Sequence, residues 1–495
     1  MGFRSLAVVG TVAFALAGPS AAQTPLELTL VAYIAILKAQ GAVVEFSDRI
    51  VGADDSIEFR GLHIGSPDDE FNLTTDWIRF TPQAMAPEQT IVSLAPQVHA
   101  EIVPNSRGDR IIVDLLSENL MVLTNAVVVE PQKLGNIDVR LSAGKLDFVS
   151  QGISDVEPFS VTVSQENPNL IAAFDQIGHS FAGAFQVAAL LADYSFTADG
   201  ATNAAKTNVD GLAVKVSFDI PPGGFDETFF DGDNEASLII STDSSASSGN
   251  SQQEGMNLEF STSNGPSRGK FEIADGSLVY QAEGNDANVD LSFGPAMPPV
   301  SVKISHMMFD LAAPTKPTDD LTDMRFGLVV TDLVAGDPVW DMIDPGRSIP
   351  RDPAVLDIRL AAKVRLREAL GGIMSSGGPM ASGKPPTELA TIDRFDIDAL
   401  KVMAGGASVE AGGGLDFDNN GPIPMPLGDI NVEVNGVQGL TTKLVELGLI
   451  DQMQAGMAMG MIMGFGRPGS APDQFLSDIS FTKDGILANG KPIGR

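Results

Sequence analysis

Four histidines, His63, His99, His179 and His306, are the residues best suited to general acid–base work, and they stand far apart. None has a partner at metal-ligand spacing. The chain has no cysteine, which excludes a thiolate nucleophile and a zinc–thiolate cluster. The G-x-S-x-G, P-loop and helix-opening G-x-G-x-x-G patterns are missing. His179 follows Asp175 by four residues, which on a helix is one turn; such a pair can move a proton or can be a hydrogen-bonded structural pair. Asp416-Phe417-Asp418-Asn419-Asn420-Gly421 opens like a calcium loop. Its twelfth position is Leu427, so the bidentate acid is lacking, and Pro422, Pro424 and Pro426 replace the second half. The pattern predicts a polar hairpin turn, as does Asp231–Glu235. No metal, cofactor or catalytic residue is expected, and the chain is not expected to be an enzyme.

Thioether sulfur is the remaining soft chemistry. Met453, Met457 and Met461 recur every four residues and form one helical ridge, with Gly456, Gly460 and Gly464 as a second ridge beside it. A ridge without side chains admits another backbone closely, which predicts a helix pressed onto its flanking strands. The residues leave open a core helix with Met as adaptable filler, an adaptable apolar groove for a ligand, and Cu(I) binding without a nearby His or Cys. The uncharged run from Gln452 to Gly466 is shorter than the ~20 apolar residues of a membrane span.

The elements that must carry these residues are mostly strands. A capping box, Thr24-Pro25-Leu26-Glu27, predicts a first helix to about Gln40, with Leu30, Ile34 and Leu37 on one face and Gly41 as its stop. From Val43 the pattern turns to period two, punctuated by Gly, Pro, Asn and Asp, which is the grammar of an antiparallel meander. Asn167 and Pro168 predict the start of a second helix over 168–192. Its apolar stripe holds Leu170, Phe174, Ile177, Phe181, Ala184, Ala188 and Leu191. Strands resume to the end, interrupted by two low-complexity stretches, Asp243–Gln253 and Ser375–Pro386, that predict loops. A strand at Gly428–Gly436, a helix at Leu440–Phe465 and a closing hairpin region at Asp478–Ile493 complete the chain, with Asp484-Gly485 and Asn489-Gly490 as its turns.

The first residues read as a secretory signal: Arg4 as the charged start, Leu6–Gly18 as the apolar core, and Ser20-Ala21-Ala22 before a cleavage after Ala22. The formal charge of −33 is spread along the chain; a surface so acidic repels nucleic acid and anionic membranes. With 43% hydrophobic residues the chain can bury a large core and is not disordered.

Val339–Asp352 (VWDMIDPGRSIPRD), Leu444–Phe465 and Gly485–Ile493 (GILANGKPI) resemble domain of unknown function 2125, a family of secreted Gram-negative bacterial proteins. By looser analogy the family is similar to AsmA-like proteins, whose long β-sheets form grooves thought to carry lipid. The resemblance implies a soluble periplasmic envelope protein without an established activity. Together these readings predict a mainly β fold: long curved antiparallel sheets, groove or sandwich-like, with about three packed helices. The expected parts are a signal at 1–22, a region over 23–220 with helix 168–192, and a region over 221–495 with helix 440–465. The expected function is binding of apolar or lipid-like cargo in a β-groove, with a closed-core structural or protein-interaction module as the alternative and a hydrolase behind both. The groove candidates are Met453, Met457, Met461, Phe174 and Phe181. Neither a nucleic-acid partner nor a membrane span in the mature chain is expected. N-terminal sequencing of the exported protein should begin at or near Gln23; an intact Met1 in a cytosolic fraction would contradict the signal.

Overall fold

Alternation of apolar and polar residues dictates strands, and strands dominate the computed structural model. It describes residues 25–39, 41–67, 70–103, 110–130, 133–153, 158–175, 179–198, 200–220, 234–253, 256–294, 297–375, 389–421 and 423–493. Asp231 and the signal segment lie outside them, as does all but the first residue of Ser375–Pro386. The fold is mainly β, with antiparallel pairing wherever the register is defined, and a few helices. The chain divides into two compact units, Met1–Pro222 with Ile240–Glu259, and Gly223–Ile239 with Phe260–Arg495.

In the first unit, helix α1 (Pro25–Ala39) lies on the apolar side of the sheet. Its end is set by Gly41, which at φ +90 turns the chain so that Gly41 and Ala42 N–H donate to the Lys38 and Leu37 carbonyls. Leu26, Leu30 and Leu37 are buried against Ile57, Phe59, Ile78, Phe80 and Val92. Each leucine so buried contributes about 1.5–3 kcal/mol. Glu27 accepts from Arg49 at 2.7 Å and fixes the helix onto strand Asp48–Val51.

The expected helix over 168–192 does not form. Strands Asn169–Asp175 and Ser180–Ala198 occupy it, paired from Asn169↔Gln186 to Asp175↔Ser180. The same apolar residues also satisfy period two: Leu170, Ala172 and Phe174 share a face, as do Phe181, Gly183 and Phe185. Two flanking strands decide between the periods. Ser180–Ala198 pairs along its length with Ala201–Asp219, and Asn169–Asp175 pairs with Lys133–Ser142. Asn167, at φ +51, is a turn residue whose N–H donates to the Gly144 carbonyl, not a helix cap. With the helix gone, the one-turn geometry of Asp175 and His179 goes too. The low-complexity run is likewise a strand, Ser244–Gln253, because Thr202–Asp210 offers it a polar ladder. There Thr207 and Ser247 hydroxyls meet at 2.8 Å, and Ser244 Oγ donates to Asp210 at 2.7 Å.

In the second unit, long strands run from Ser267–Ala274 to Gln474–Thr482, each beside the next. Short helices α2 (Asp337–Ile343) and α3 (Leu370–Ser375) sit between strands. The expected helix over 440–465 is two: α4 (Val437–Glu446) and α5 (Gln452–Phe465). Gly448 at φ +71 ends the first, and Asp451 caps the second in a capping box with Gln454.

The glycine ridge of α5 is not a contact. A β-carbon at Gly456, Gly460 or Gly464 would meet nothing within 4 Å. The inward side of α5 is Ala455, Ala458, Met459 and Ile462, all half-buried, and the ridge faces away. The tight glycines are elsewhere: Gly413 and Gly428, at φ +147 and +145, where a β-carbon would collide with the Asp429 and Gly414 carbonyl oxygens. Gly413→Ala should therefore lower stability by about 1–3 kcal/mol. Gly460→Ala should raise it by about 1 kcal/mol. Urea unfolding of both variants checks the pair, and equal effects would refute the assignment.

Candidate functional site

Directly paired residues of an antiparallel sheet point to the same side, so the register shows what each face offers. Across the second unit one line of partners runs Phe271↔Tyr280↔Leu311↔Phe326↔Leu360. It continues Leu360↔Ile397↔Gly413↔Ile430↔Ile479. Two residues along, a second line is Phe309↔Leu328↔Ile358↔Leu400↔Ala411↔Val432, and a third is Met307↔Val330↔Leu356↔Val402↔Val409↔Val434↔Phe475. At about 4.8 Å between strands, the first line extends on the order of 40 Å. Apart from glycine it is apolar throughout, with the Tyr280 hydroxyl as its one polar side-chain group.

Among the described residues nothing buries this face along its middle. No residue from Phe271 to Ile479 in the first line is buried, and Tyr280 and Val402 are each 42% exposed. Tyr280, Phe309 and Phe326 instead shield one another edge-to-face, with centroids 5.5 and 5.6 Å apart. One margin is closed: Leu370 of α3 packs against buried Ile273 and Leu278. Toward the last strand α5 is anchored by Ser477 Oγ and Asn489 Nδ2, each donating to the Phe465 carbonyl at 2.8 Å. The first unit provides the contrast. Its line Ile57↔Phe80↔Val92↔Val122↔Leu141↔Leu170↔Phe185↔Val214 is equally apolar. Ile57 to Val122 are buried in the cluster that α1 joins, whereas Leu170, Phe185 and Val214 are part-exposed.

The opposite face of the second unit is charged. Asp357, Lys401, Glu410 and Glu433 are successive cross-strand partners, and Lys401 donates to Glu410 at 2.8 Å. Arg394 bridges Asp396 and Asp416, and Arg325 bridges Asp310. A hollow of about 460 Å³ over the strand irregularity at Asp398 and Ala399 lies on this side, lined by Asp357, Lys401, Glu410, Glu433 and Arg467. Glu410 pairs with Lys401 and Asp357 with Arg359, while Glu433 accepts from the side-chain amides of Asn435 and Gln474.

Phe174 and Phe181 are direct partners on adjacent strands of the first unit, and Phe181 stacks on Phe218 at 5.1 Å. They stand on the part-exposed stretch of that unit's apolar face, beside the line of Leu170 and Phe185. Met453, Met457 and Met461 lie together on the outward side of α5, at 70%, 58% and 62% exposure, away from the half-buried side of the helix. The lines themselves were not visible from single strands. Each strand shows its period, but the partners that join Leu360 to Ile397 are set by pairing.

Three of the four histidines hydrogen-bond a polar side chain on a neighbouring strand: His63 with Asn72 at 3.0 Å, His99 with Asp114 at 2.7 Å, His306 with Asn285 at 2.9 Å. Burial works to raise the Asp114 carboxyl, but hydrogen bonds from His99 and Gln97 hold it below its usual range. At Asp416–Gly421 the acids are engaged: Asp416 with Arg394, and Asp418 with the N–H and side-chain amide of Asn420.

Val339–Asp352 forms a locked corner. Asp344 is fully buried and accepts from Ile349 N–H at 2.6 Å and Ser348 Oγ at 2.9 Å. Arg351 reaches Asp337, Asp341 and the Asp344 carbonyl and lies over the Trp340 ring. Ile349 and Pro350 are thereby pressed onto the hairpin turn Gly405-Gly406. Burial would raise the Asp344 carboxyl, yet the Ile349 and Ser348 hydrogen bonds and the Arg351 charge outweigh it and hold it low. The most recognisable stretch of the sequence is thus a latch.

The profile of domain of unknown function 2125, described as an uncharacterized protein conserved in bacteria, matches residues 232–495, just over half of the chain. No curated protein matches it. Among solved structures it is similar to the alcaligin outer membrane receptor FauA from Bordetella pertussis, at 7% identity and a TM-score of 0.19, over 90% of this chain and 68% of that one. It is similar also to BauA, the ferric preacinetobactin receptor of Acinetobacter baumannii, at 9% identity and a TM-score of 0.16, over 89% and 74%. At these TM-scores neither likeness carries an argument.

A carboxyl held low in the fold stabilises above its unfolded pKa, and that contribution is lost as pH falls through the folded value. Asp344→Asn should therefore lower the melting temperature at neutral pH. The gap to wild type should narrow only as pH falls below the ordinary aspartate range, through the lowered value at which the folded carboxyl protonates. Paired melts across pH check this, and a gap that persists in acid would refute the latch.

Proposed function

The chain belongs to domain of unknown function 2125, the uncharacterized proteins conserved in bacteria, and we propose that within it this protein holds apolar, lipid-like chains against the open face of its sheets. The single observation that carries the reading is the continuous apolar line from Phe271 to Ile479, of which no residue is buried among the described residues. An apolar surface of this extent costs free energy in water, roughly 25 cal/mol per Å², and an occupant recovers it. The three lines carry no charge, so the occupant is hydrocarbon where it touches the sheet, with any polar headgroup beyond the lines. Binding, not catalysis, is the role. We place the site of action outside the inner membrane, where a signal like residues 1–22 directs a chain. Among the described residues no helix is long and apolar enough to cross a membrane.

Organic extraction of the purified full chain followed by lipid mass spectrometry should recover near-stoichiometric acyl lipid. Leu360→Glu, in the middle of the first line, should abolish recovery, and Leu360→Asn, which adds no charge, should reduce it. Glu410→Gln on the charged face should leave it unchanged. A lipid-free wild type, or equal recovery from all variants, would refute the proposal.

A further inference from the structure

With no cysteine in the chain, methionine thioethers are its most readily oxidised side chains, and α5 gathers five in fourteen residues. Met453, Met457, Met461 and Met463 are 70%, 58%, 62% and 59% exposed, while Met459 is half-buried on the inward side. The open glycines lie among the exposed four. Since a β-carbon at Gly456, Gly460 or Gly464 would meet nothing within 4 Å, no side chain of the ridge shades the neighbouring sulfurs. Three residues that weaken a helix thus leave a bare thioether surface.

We propose that the outward face of α5 is a site of reversible methionine oxidation, with peroxide as the oxidant. Each sulfur attacks one peroxide oxygen. The O–O bond breaks as the S–O bond forms, the second oxygen leaves as water, and the thioether becomes a sulfoxide. Two electrons pass from sulfur to peroxide, and a dithiol-dependent sulfoxide reductase returns them. The change turns four apolar side chains polar without loosening the helix. Its hold on the unit is through Ala455, Ala458, Met459, Ile462 and the bonds to the Phe465 carbonyl. The surface switches while the fold stays. This is independent of the cargo reading, and either can fail alone.

The test treats the full chain with hydrogen peroxide and follows each methionine by peptide mass spectrometry. Met85, at 97% exposure, is the reference for a free thioether. When half of Met85 is sulfoxide, each of the four α5 methionines should be at least one-third converted and Met459 less than one-tenth. The melting temperature should be unchanged, and sulfoxide reductase should restore all four. Gly460→Leu, which adds a side chain beside Met457 and Met463, should slow those two at least threefold while Met85 keeps its rate. Met459 keeping pace with the others, helix loss accompanying their oxidation, or no protection by Gly460→Leu would overturn the proposal.

Discussion

Strand register is the constraint on which the rest depends. Side chains alternate across a sheet, so a slip of one residue in any pairing would carry an apolar set to the charged side. The lines through Leu360 and Ile397 hold because each pairing from Phe271 to Ile479 keeps its apolar residues on one side. Where the register shifts, at Ile397/Leu400, the irregularity restores the apolar face one pair later, with Leu400 opposite Ala411. Asp398 and Ala399 are left to line the hollow on the other side. The charged face guards the same register from the opposite direction, since Lys401 meets Glu410 only in this alignment.

The two units treat the same kind of surface differently. In the first, α1 covers one end of the apolar lines and makes a compact core of Leu30, Leu37, Phe59, Phe80 and Val92. In the second, the helices close margins: α3 with Leu370 on one side, α4 and α5 beside the last strands. Burial is correspondingly shallow there, confined to places such as Ile349 and Leu415. Long antiparallel ladders with little burial make up the sheet. Among the described residues no cluster of three or more metal-ligating side chains accompanies its apolar face.

Composition and local pattern determined a good deal alone. Period-two runs marked most strands, Gly41 marked the end of α1, and Asp484-Gly485 and Asn489-Gly490 marked turns, because these are consequences of a few neighbouring residues. Charge and the missing cysteine bounded the chemistry. The family could be recognised in Trp340–Asp352 and in the C-terminal stretch, although the role of Asp344 there emerges only when Ile349 and Ser348 fold back onto it.

Tertiary structure decided the rest wherever a segment satisfied two periods at once or its partner lay far along the chain. Leu170 to Leu191 fits a helical stripe and a pair of strands equally. The ladder with Ala201–Asp219 and Lys133–Ser142 settles it, since those long-range hydrogen bonds outweigh a weak local preference. Ser244–Gln253 has no apolar pattern and is a strand because Thr202–Asp210 is there to pair with it. The α5 glycines looked like a contact because spacing specifies a helix face but not what that face meets. That face meets nothing. A sequence states the period of each element, and only packing states which side is covered.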